Sequence, residues 1–93
     1  MSSLTLYNEV TAQSSKSTTL LYSSSFSSAI GLLDKSLHQS IYDIYGFVRF
    51  ADEIVDTFHE YDKATLLATF KADTYAALDN GISLNPILHR FQL

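Results

Sequence analysis

The chain has 93 residues, which is enough for one domain with a small core. Its formal net charge is −4, so it has neither the basic footprint of a nucleic-acid-binding protein nor a cationic face for anionic lipid. It contains no cysteine, which excludes disulfides, thiolate chemistry and cysteine-based zinc sites. No apolar run reaches the roughly 18 residues that a membrane-spanning helix requires.

Residues 1–28 include ten serines, a composition that is also typical of flexible linkers. Apolar residues recur among these serines and favour helices instead: Leu4, Tyr7, Val10, Leu20, Leu21, Phe26, Ile30 and Leu33. We predict a first helix near residues 4–15 and a second, broken helix near residues 18–33. Asp34 or Ser36 is the predicted N-cap of the helix that follows.

The segment from Lys35 to about Phe58 has the clearest helical pattern of the chain. Two apolar stripes run along it, Ile41, Ile44, Val48, Ala51 and Val55 on one and Phe47, Phe50, Ile54 and Phe58 on the other. A strand at Ile41–Phe50 fits the β-branched and aromatic composition, but the uninterrupted pattern is far longer than a strand. Gly46 is costly inside a helix, so we expect it to permit a close approach. The apolar stripes predict that this helix lies inside a bundle.

Two further helices are predicted after this segment. One runs from about Asp62 to Asp79 and ends at Asn80-Gly81, with an expected inner face of Leu67, Phe70, Thr74, Ala77 and Leu78. The other begins at Asn85-Pro86, where Asn is a good N-cap and Pro suits the first helical position. Because this helix has barely begun when the chain ends, we expect a truncated sequence. The predicted fold class is all-α.

One polar line on the central helix carries the candidate chemistry. Tyr45, Arg49, Asp52 and Asp56 fall within about 60° of arc on one face. Two carboxylates at i, i+4 can share divalent cations, and an arginine one turn earlier can bind the anion that those cations carry. The line therefore indicates a magnesium–diphosphate site, which we expect to face an enclosed hollow. The alternative is a solvated face on which Arg49 pairs locally with Asp52, three residues away.

A second candidate segment is Tyr22-Ser23-Ser24-Ser25-Phe26. Closely spaced hydroxyls beside a helix terminus suit phosphate oxygens, and the Phe26 ring can face a developing cation. The alternative is that the serines form a local break in the helix and that Phe26 belongs to the core. The sequence of this segment alone favours that alternative.

Together these residues resemble the N-terminal third of the squalene/phytoene synthase family of head-to-head prenyl synthases, most closely its bacterial phytoene synthase branch. The matching stretches are Tyr22-Ser-Ser-Ser-Phe-Ser-Ser-Ala-Ile-Gly-Leu-Leu33 and Ile44-Tyr-Gly-Phe-Val-Arg-Phe-Ala-Asp-Glu-Ile-Val-Asp56. The resemblance covers roughly residues 15–93. It implies that the whole chain, residues 1–93, is the N-terminal part of one isoprenoid-synthase-type helical domain.

The resemblance also assigns roles to residues. The catalytic residues that it implies are Tyr45, Arg49, Asp52 and Asp56. Asp52 and Asp56 match the first aspartate-rich motif and would hold Mg²⁺, with Mn²⁺ as the alternative. Ser23, Ser25 and Phe26 match substrate contacts on the flap side of the cavity, and Tyr45 and Arg49 contact the substrate as well. The second aspartate-rich motif of the family is absent from these 93 residues.

The function implied by the resemblance is condensation of two prenyl diphosphates, geranylgeranyl diphosphate for preference, to phytoene in carotenoid biosynthesis. Lacking the second motif, this chain would be inactive without the C-terminal part of its domain. A cytoplasmic location is expected, and a greasy hydrocarbon product is compatible with peripheral membrane association. The alternatives are a squalene or dehydrosqualene synthase fragment, a head-to-tail prenyltransferase or terpene cyclase, and a non-catalytic helical interaction module.

Overall fold

The computed structural model describes residues 2–93, and these residues form five α-helices and no β-strand. The helices are α1 (Ser3–Tyr22), α2 (Ser24–Ile30), α3 (Lys35–Asp56), α4 (Lys63–Asn80) and α5 (Pro86–Gln92). The all-α fold class predicted from the sequence is confirmed. The molecule measures 39 × 34 × 16 Å along its principal axes, so it is much thinner in one direction than in the other two.

Capping residues set the ends of the last three helices, as the sequence predicted. The Asp34 carboxylate accepts the Ser36 N–H at 2.9 Å and begins α3. Gly81 ends α4 with a φ of 70°, a left-handed conformation that glycine adopts without steric cost. Asn85 begins α5 by accepting two backbone N–H groups, and Pro86 follows it at the first helical position.

The predicted interruption of the N-terminal helix near residues 15–18 is wrong. Helix α1 is continuous to Tyr22, and the chain breaks only at Ser23, which is extended with φ −151° and ψ 97°. Four hydroxyl groups within the helix, those of Ser14, Ser15, Thr18 and Thr19, donate to the carbonyl four residues earlier. These hydroxyls find partners within the helix, so the polar run does not interrupt it.

Helices α1, α3 and α5 meet at a point where small residues allow close contact. Thr11, Ser15 and Thr19 form a fully buried face of α1. A Cβ atom added to Gly46 of α3 would lie 3.2 Å from Cδ1 of Ile87 and 3.9 Å from the Ser15 Cα. The expectation that Gly46 permits a close approach is therefore confirmed, and the approaching groups are α5 and the α1 backbone.

The core is centred on α5, and it is smaller than the sequence pattern predicts. Its buried apolar residues are Ile30, Tyr42, Ile54, Ala77, Ile87 and Leu88. The first apolar stripe of α3 lies largely outside it, since Ile44, Val48 and Val55 are about half exposed. The expected inner face of α4 is likewise open at Leu67 and Leu78. In so thin a molecule, α3 and α4 have helical neighbours on one side only.

A buried ion pair joins α3 to α5. The Arg90 Nε donates to both oxygens of Asp43 at 3.2 and 3.1 Å, and Arg90 Nη2 donates to Oδ2 at 3.0 Å. Asp43 is only 8% exposed. Gln39 donates to the Asp43 carboxylate at 2.8 Å and to the Ala12 carbonyl of α1 at 3.2 Å. This network, which the sequence analysis did not anticipate, ties three helices together.

His89 has a packing role between α5 and α1. It is 1% exposed, and its ring centroid lies 4.7 Å from that of Tyr7. Its Nδ1 accepts the Ser83 N–H at 3.3 Å, so the proton resides on Nε2, which donates to Asn8 Oδ1 at 2.6 Å. Burial, and secondarily the charge of Arg90, lowers the pKa of His89.

We expect Asp43→Asn to lower the free energy of unfolding by about 3 kcal/mol, because it leaves the Arg90 charge without its counter-ion in a buried position. Urea unfolding followed by far-UV circular dichroism measures the change. Asp79→Asn removes an exposed carboxylate and serves as the matched control. A loss below about 1 kcal/mol, the range of surface ion pairs, would contradict a structural role for the buried pair.

The lowered pKa of His89 predicts acid destabilisation. The unfolded imidazole takes up a proton near pH 6.5, whereas the folded one resists protonation until lower pH. The unfolded state therefore binds more protons in this window, and stability falls as the pH decreases from about 6.5 through the folded-state pKa. The free energy of unfolding, measured between pH 7 and 5, should show this loss, and His89→Gln should reduce its dependence on pH. A wild-type stability that is constant over this range would refute the prediction.

Candidate functional site

The four residues of the predicted polar line lie together on one face of α3, and the predicted helix is confirmed. Tyr45 is half-buried, and the Arg49 side chain retains 24% exposure. Asp52 is exposed, and the Asp56 side chain is 64% exposed. The face thus changes from a half-buried aromatic end to a solvated acidic end over about three turns of helix.

The expectation that this face borders an enclosed hollow is not met within residues 2–93. Both aspartates are open to solvent. The described helices bury a different part of α3 instead, the part where Asp43 and Gly46 face α5 and α1. The acidic end is consequently an open surface rather than a wall of a cavity.

Part of the second candidate segment, residues 22–26, lies against the aromatic end of the polar line on α3. The Phe26 ring stacks on the Tyr45 ring with centroids 5.1 Å apart and planes inclined by 25°. The Ser23 hydroxyl accepts the Phe26 N–H at 3.1 Å and caps α2, so this serine has a structural task in the present arrangement. Ser25 is exposed in the first turn of α2. The alternative that the serines interrupt the helix is correct at Ser23, yet Phe26 is 40% exposed rather than buried in the core.

Arg49 has different local partners from the one considered in the sequence analysis. Its Nη2 lies 2.9 Å from Glu53 Oε1 and 3.9 Å from Asp56 Oδ2. Its guanidinium carbon lies 5.2 Å from the centroid of the Tyr22 ring, within cation–π distance. The arginine is therefore held between the end of α1 and its own helix, and the pairing with Asp52 considered in the sequence analysis is not found.

Glu53 and Tyr22 contact Arg49, and neither contact was predicted from the sequence. Glu53 points about 100° away from Asp52, so the helical pattern does not place it on the polar line. It nevertheless lies only about 40° from Arg49 on the helix, at the i, i+4 spacing that brings side chains into contact. That spacing was the available signal for Glu53. No local sequence pattern predicts the contact of Tyr22 with Arg49, because this contact joins two helices.

An apolar cleft of about 430 Å³ lies between α3 and α4. Aromatic and aliphatic side chains make up most of its lining, which comprises Tyr22, Phe50, Glu53, Ile54, Phe58, Leu66, Thr69, Phe70, Asp73 and Asn85. The cleft adjoins the polar line through Tyr22 and Glu53. Neither Asp52 nor Asp56 contributes to it, so the cleft and the acidic end are separate surfaces of α3.

The two exposed aspartates have the donor chemistry that Mg²⁺ requires. Carboxylate oxygens are hard ligands, and Mg²⁺ in phosphate-transfer sites keeps several waters and uses only one or two carboxylates together with substrate phosphates. Within the described part of the chain, no group of three or more His, Asp or Glu residues is arranged to hold a metal ion. The pair on α3 therefore fits one side of such a site.

None of the helices formed by residues 2–93 combines the length and the apolar character needed to cross a membrane.

Comparison with known proteins supports the resemblance noted from the sequence. A family model described as squalene/phytoene synthase matches residues 21–92, more than three quarters of the chain. No curated protein and no solved structure matched the chain. The matched segment contains Tyr22, Phe26, Glu53 and the whole polar line of α3. The chain therefore belongs to the squalene/phytoene synthase family, whose enzymes are prenyltransferases of the head-to-head type.

Proposed function

We propose that the polar line of α3 is the diphosphate-binding part of a synthase that condenses two molecules of geranylgeranyl diphosphate head-to-head to phytoene. The observation that carries the proposal is the arrangement of one phenol, one guanidinium and two exposed carboxylates along a single helical face. The family match over the same residues supports it. The Tyr45–Phe26 contact supplies an aromatic surface at the end opposite the carboxylates.

Arg49 and the two aspartates form the proposed anion end. A protein of net charge −4 needs a cation between its carboxylates and a diphosphate, and Asp52 and Asp56 would hold Mg²⁺ for this purpose. When bound, the metal would offset the negative charge of the departing diphosphate. Arg49 donates N–H groups to phosphate oxygens from a fixed planar fork, which suits it to bind and orient the diphosphate.

Tyr45 and Phe26 form the proposed cation end. Loss of diphosphate from an allylic substrate leaves a carbocation, and aromatic ring faces stabilise positive charge. Tyr45 precedes Arg49 by one turn, which separates their Cα atoms by about 6 Å along the helix axis. The carbon that loses the diphosphate can therefore lie against the rings while the diphosphate contacts Arg49.

We also propose that a second aspartate-rich helix, from the C-terminal part of the same domain, faces this line. The exposed positions of Asp52 and Asp56 leave room for such a partner. The half-exposed apolar residues Ile44, Val48 and Val55 on the same helix provide a surface for it to pack against. Enclosure of this face by the C-terminal part of the domain would exclude water from the cation end at Tyr45 and Phe26.

The proposed location is the cytoplasm, with peripheral contact to membranes. A hydrocarbon product partitions into lipid, which supports the contact with a membrane surface.

We expect Asp52→Asn and Asp56→Asn each to weaken Mg²⁺-dependent binding of inorganic diphosphate by at least about tenfold. An amide lacks the negative charge that holds the metal against the diphosphate. Isothermal titration calorimetry of the chain with MgCl₂ and diphosphate measures the affinity, and Asp79→Asn controls for the loss of one exposed carboxylate. Equal affinity of the wild type and the three variants would contradict the assignment of Asp52 and Asp56 as metal ligands.

The reaction itself distinguishes this proposal from its alternatives. The chain completed by the C-terminal part of its domain, incubated with geranylgeranyl diphosphate and Mg²⁺, should form phytoene. Activity confined to farnesyl diphosphate would indicate squalene or dehydrosqualene synthesis. A longer linear diphosphate or a cyclic hydrocarbon would refute head-to-head condensation, and the absence of any product would favour a non-catalytic module.

A further inference from the structure

We propose that Glu53 and Tyr22 are positioning residues that fix the Arg49 guanidinium for diphosphate binding. This inference rests on the proposed function and adds two residues to the site. Neither residue belongs to the polar line, and neither is assigned a role by the family resemblance. Both act through Arg49 and need no contact with the substrate.

The first observation is the unequal strength of the two carboxylate contacts of Arg49. The Glu53 contact is 2.9 Å long, and the two side chains are 17% and 24% exposed. The Asp56 contact is 3.9 Å long and involves a side chain that is 64% exposed. Because water screens the second contact far more than the first, Glu53 is the residue that fixes the position of the guanidinium.

The second observation is that an aromatic ring also contacts the Arg49 guanidinium. The Tyr22 ring centroid lies 5.2 Å from the guanidinium carbon. Arg49 Nε is buried and has no hydrogen-bond partner within the described residues. The ring contacts the guanidinium and Glu53 engages Nη2, while a guanidinium carries five N–H donors in all. Donors therefore remain for a phosphate, in an orientation set before the ligand arrives.

Because Glu53 is negatively charged, its proposed positioning role predicts a change in diphosphate affinity opposite to the change that electrostatics alone predicts. A carboxylate close to an anion site repels the anion, so simple electrostatics predicts that neutralising Glu53 would strengthen diphosphate binding. A positioning role predicts the opposite result, because the freed guanidinium must be ordered again when the ligand binds. The direction of the change therefore separates the two explanations.

The test compares Glu53→Gln with Glu60→Gln in calorimetric titrations with MgCl₂ and inorganic diphosphate. Glu60 is exposed in the α3–α4 connection, and its substitution makes the same change in net charge. We expect Glu53→Gln to weaken binding by about tenfold and Glu60→Gln to leave it within about twofold of wild type. Circular dichroism should show equal helix content in the two variants, which separates a binding effect from unfolding.

Tyr22 provides a second pair of variants. Tyr22→Leu removes the aromatic face and should weaken binding, whereas Tyr22→Phe keeps the ring and should bind as wild type does. The Nε–H resonance of Arg49 in the metal-free chain gives a readout that is independent of binding. Its ¹⁵N relaxation should show a rigid side chain in wild type and a mobile one in Glu53→Gln and Tyr22→Leu.

Three results would overturn the inference. Unchanged or tighter diphosphate binding by Glu53→Gln would show that Glu53 does not position Arg49. A loss in Glu53→Gln that excess Mg²⁺ restores would identify Glu53 as a metal ligand instead. If wild type binds no diphosphate, the proposed function of this face fails and the inference fails with it, whereas diphosphate binding that survives Glu53→Gln removes the inference alone.

Discussion

The ion pair between Asp43 and Arg90 determines which side of α3 faces the interior. Burying two charges is favourable only when they meet in good geometry, and Arg90 meets Asp43 with three short contacts. Asp52 follows Asp43 by nine residues, which places it about 180° away around the helix. Once Asp43 points inward, Asp52 must point outward. Residues of the same type on one helix therefore have opposite roles, one in stability and one in the candidate chemistry.

Close packing at Gly46 reinforces this orientation. A side chain at this position would contact Ile87 of α5, and the α1 backbone at Ser15 lies nearby. The small buried residues of α1 make that approach possible. The ion pair and the close contact together prevent α3 from rotating, so the face that carries Tyr45, Arg49 and the two aspartates has a fixed direction.

The same geometry accounts for the contrasting surroundings along that face. The end of α1 and the start of α2 reach α3 beside Arg49 and Tyr45, where Tyr22 and Phe26 provide aromatic contacts. No comparable contact reaches the two exposed aspartates among the described residues. The aromatic end is consequently ordered by the protein itself, and the acidic end is left accessible to a metal ion and to further protein.

Local sequence signals were enough to determine the last three helices and the polar line. Helical periodicity and the capping residues Asp34, Gly81 and Asn85 depend on neighbours within a few positions, so their effects can be derived without a fold. The same applies to the common face of Tyr45 and Asp56. The error near residues 15–18 arose because serine and threonine are compatible with both turns and helices. Thr11, Ser15 and Thr19 are fully buried with their hydroxyl groups bonded to carbonyls of α1, and this arrangement favours the helix.

Only the tertiary structure decided which faces are buried and which residues hold Arg49. The apolar stripes of α3 look alike in the sequence, yet Phe47 of one stripe packs against Phe70 of α4 and Phe91 of α5, while Ile44 and Val48 of the other are about half exposed. The pairing of Asp43 with Arg90 and the contact of Tyr22 with Arg49 join residues far apart in the chain. No periodicity within one helix encodes such contacts, because they depend on how separate helices pack.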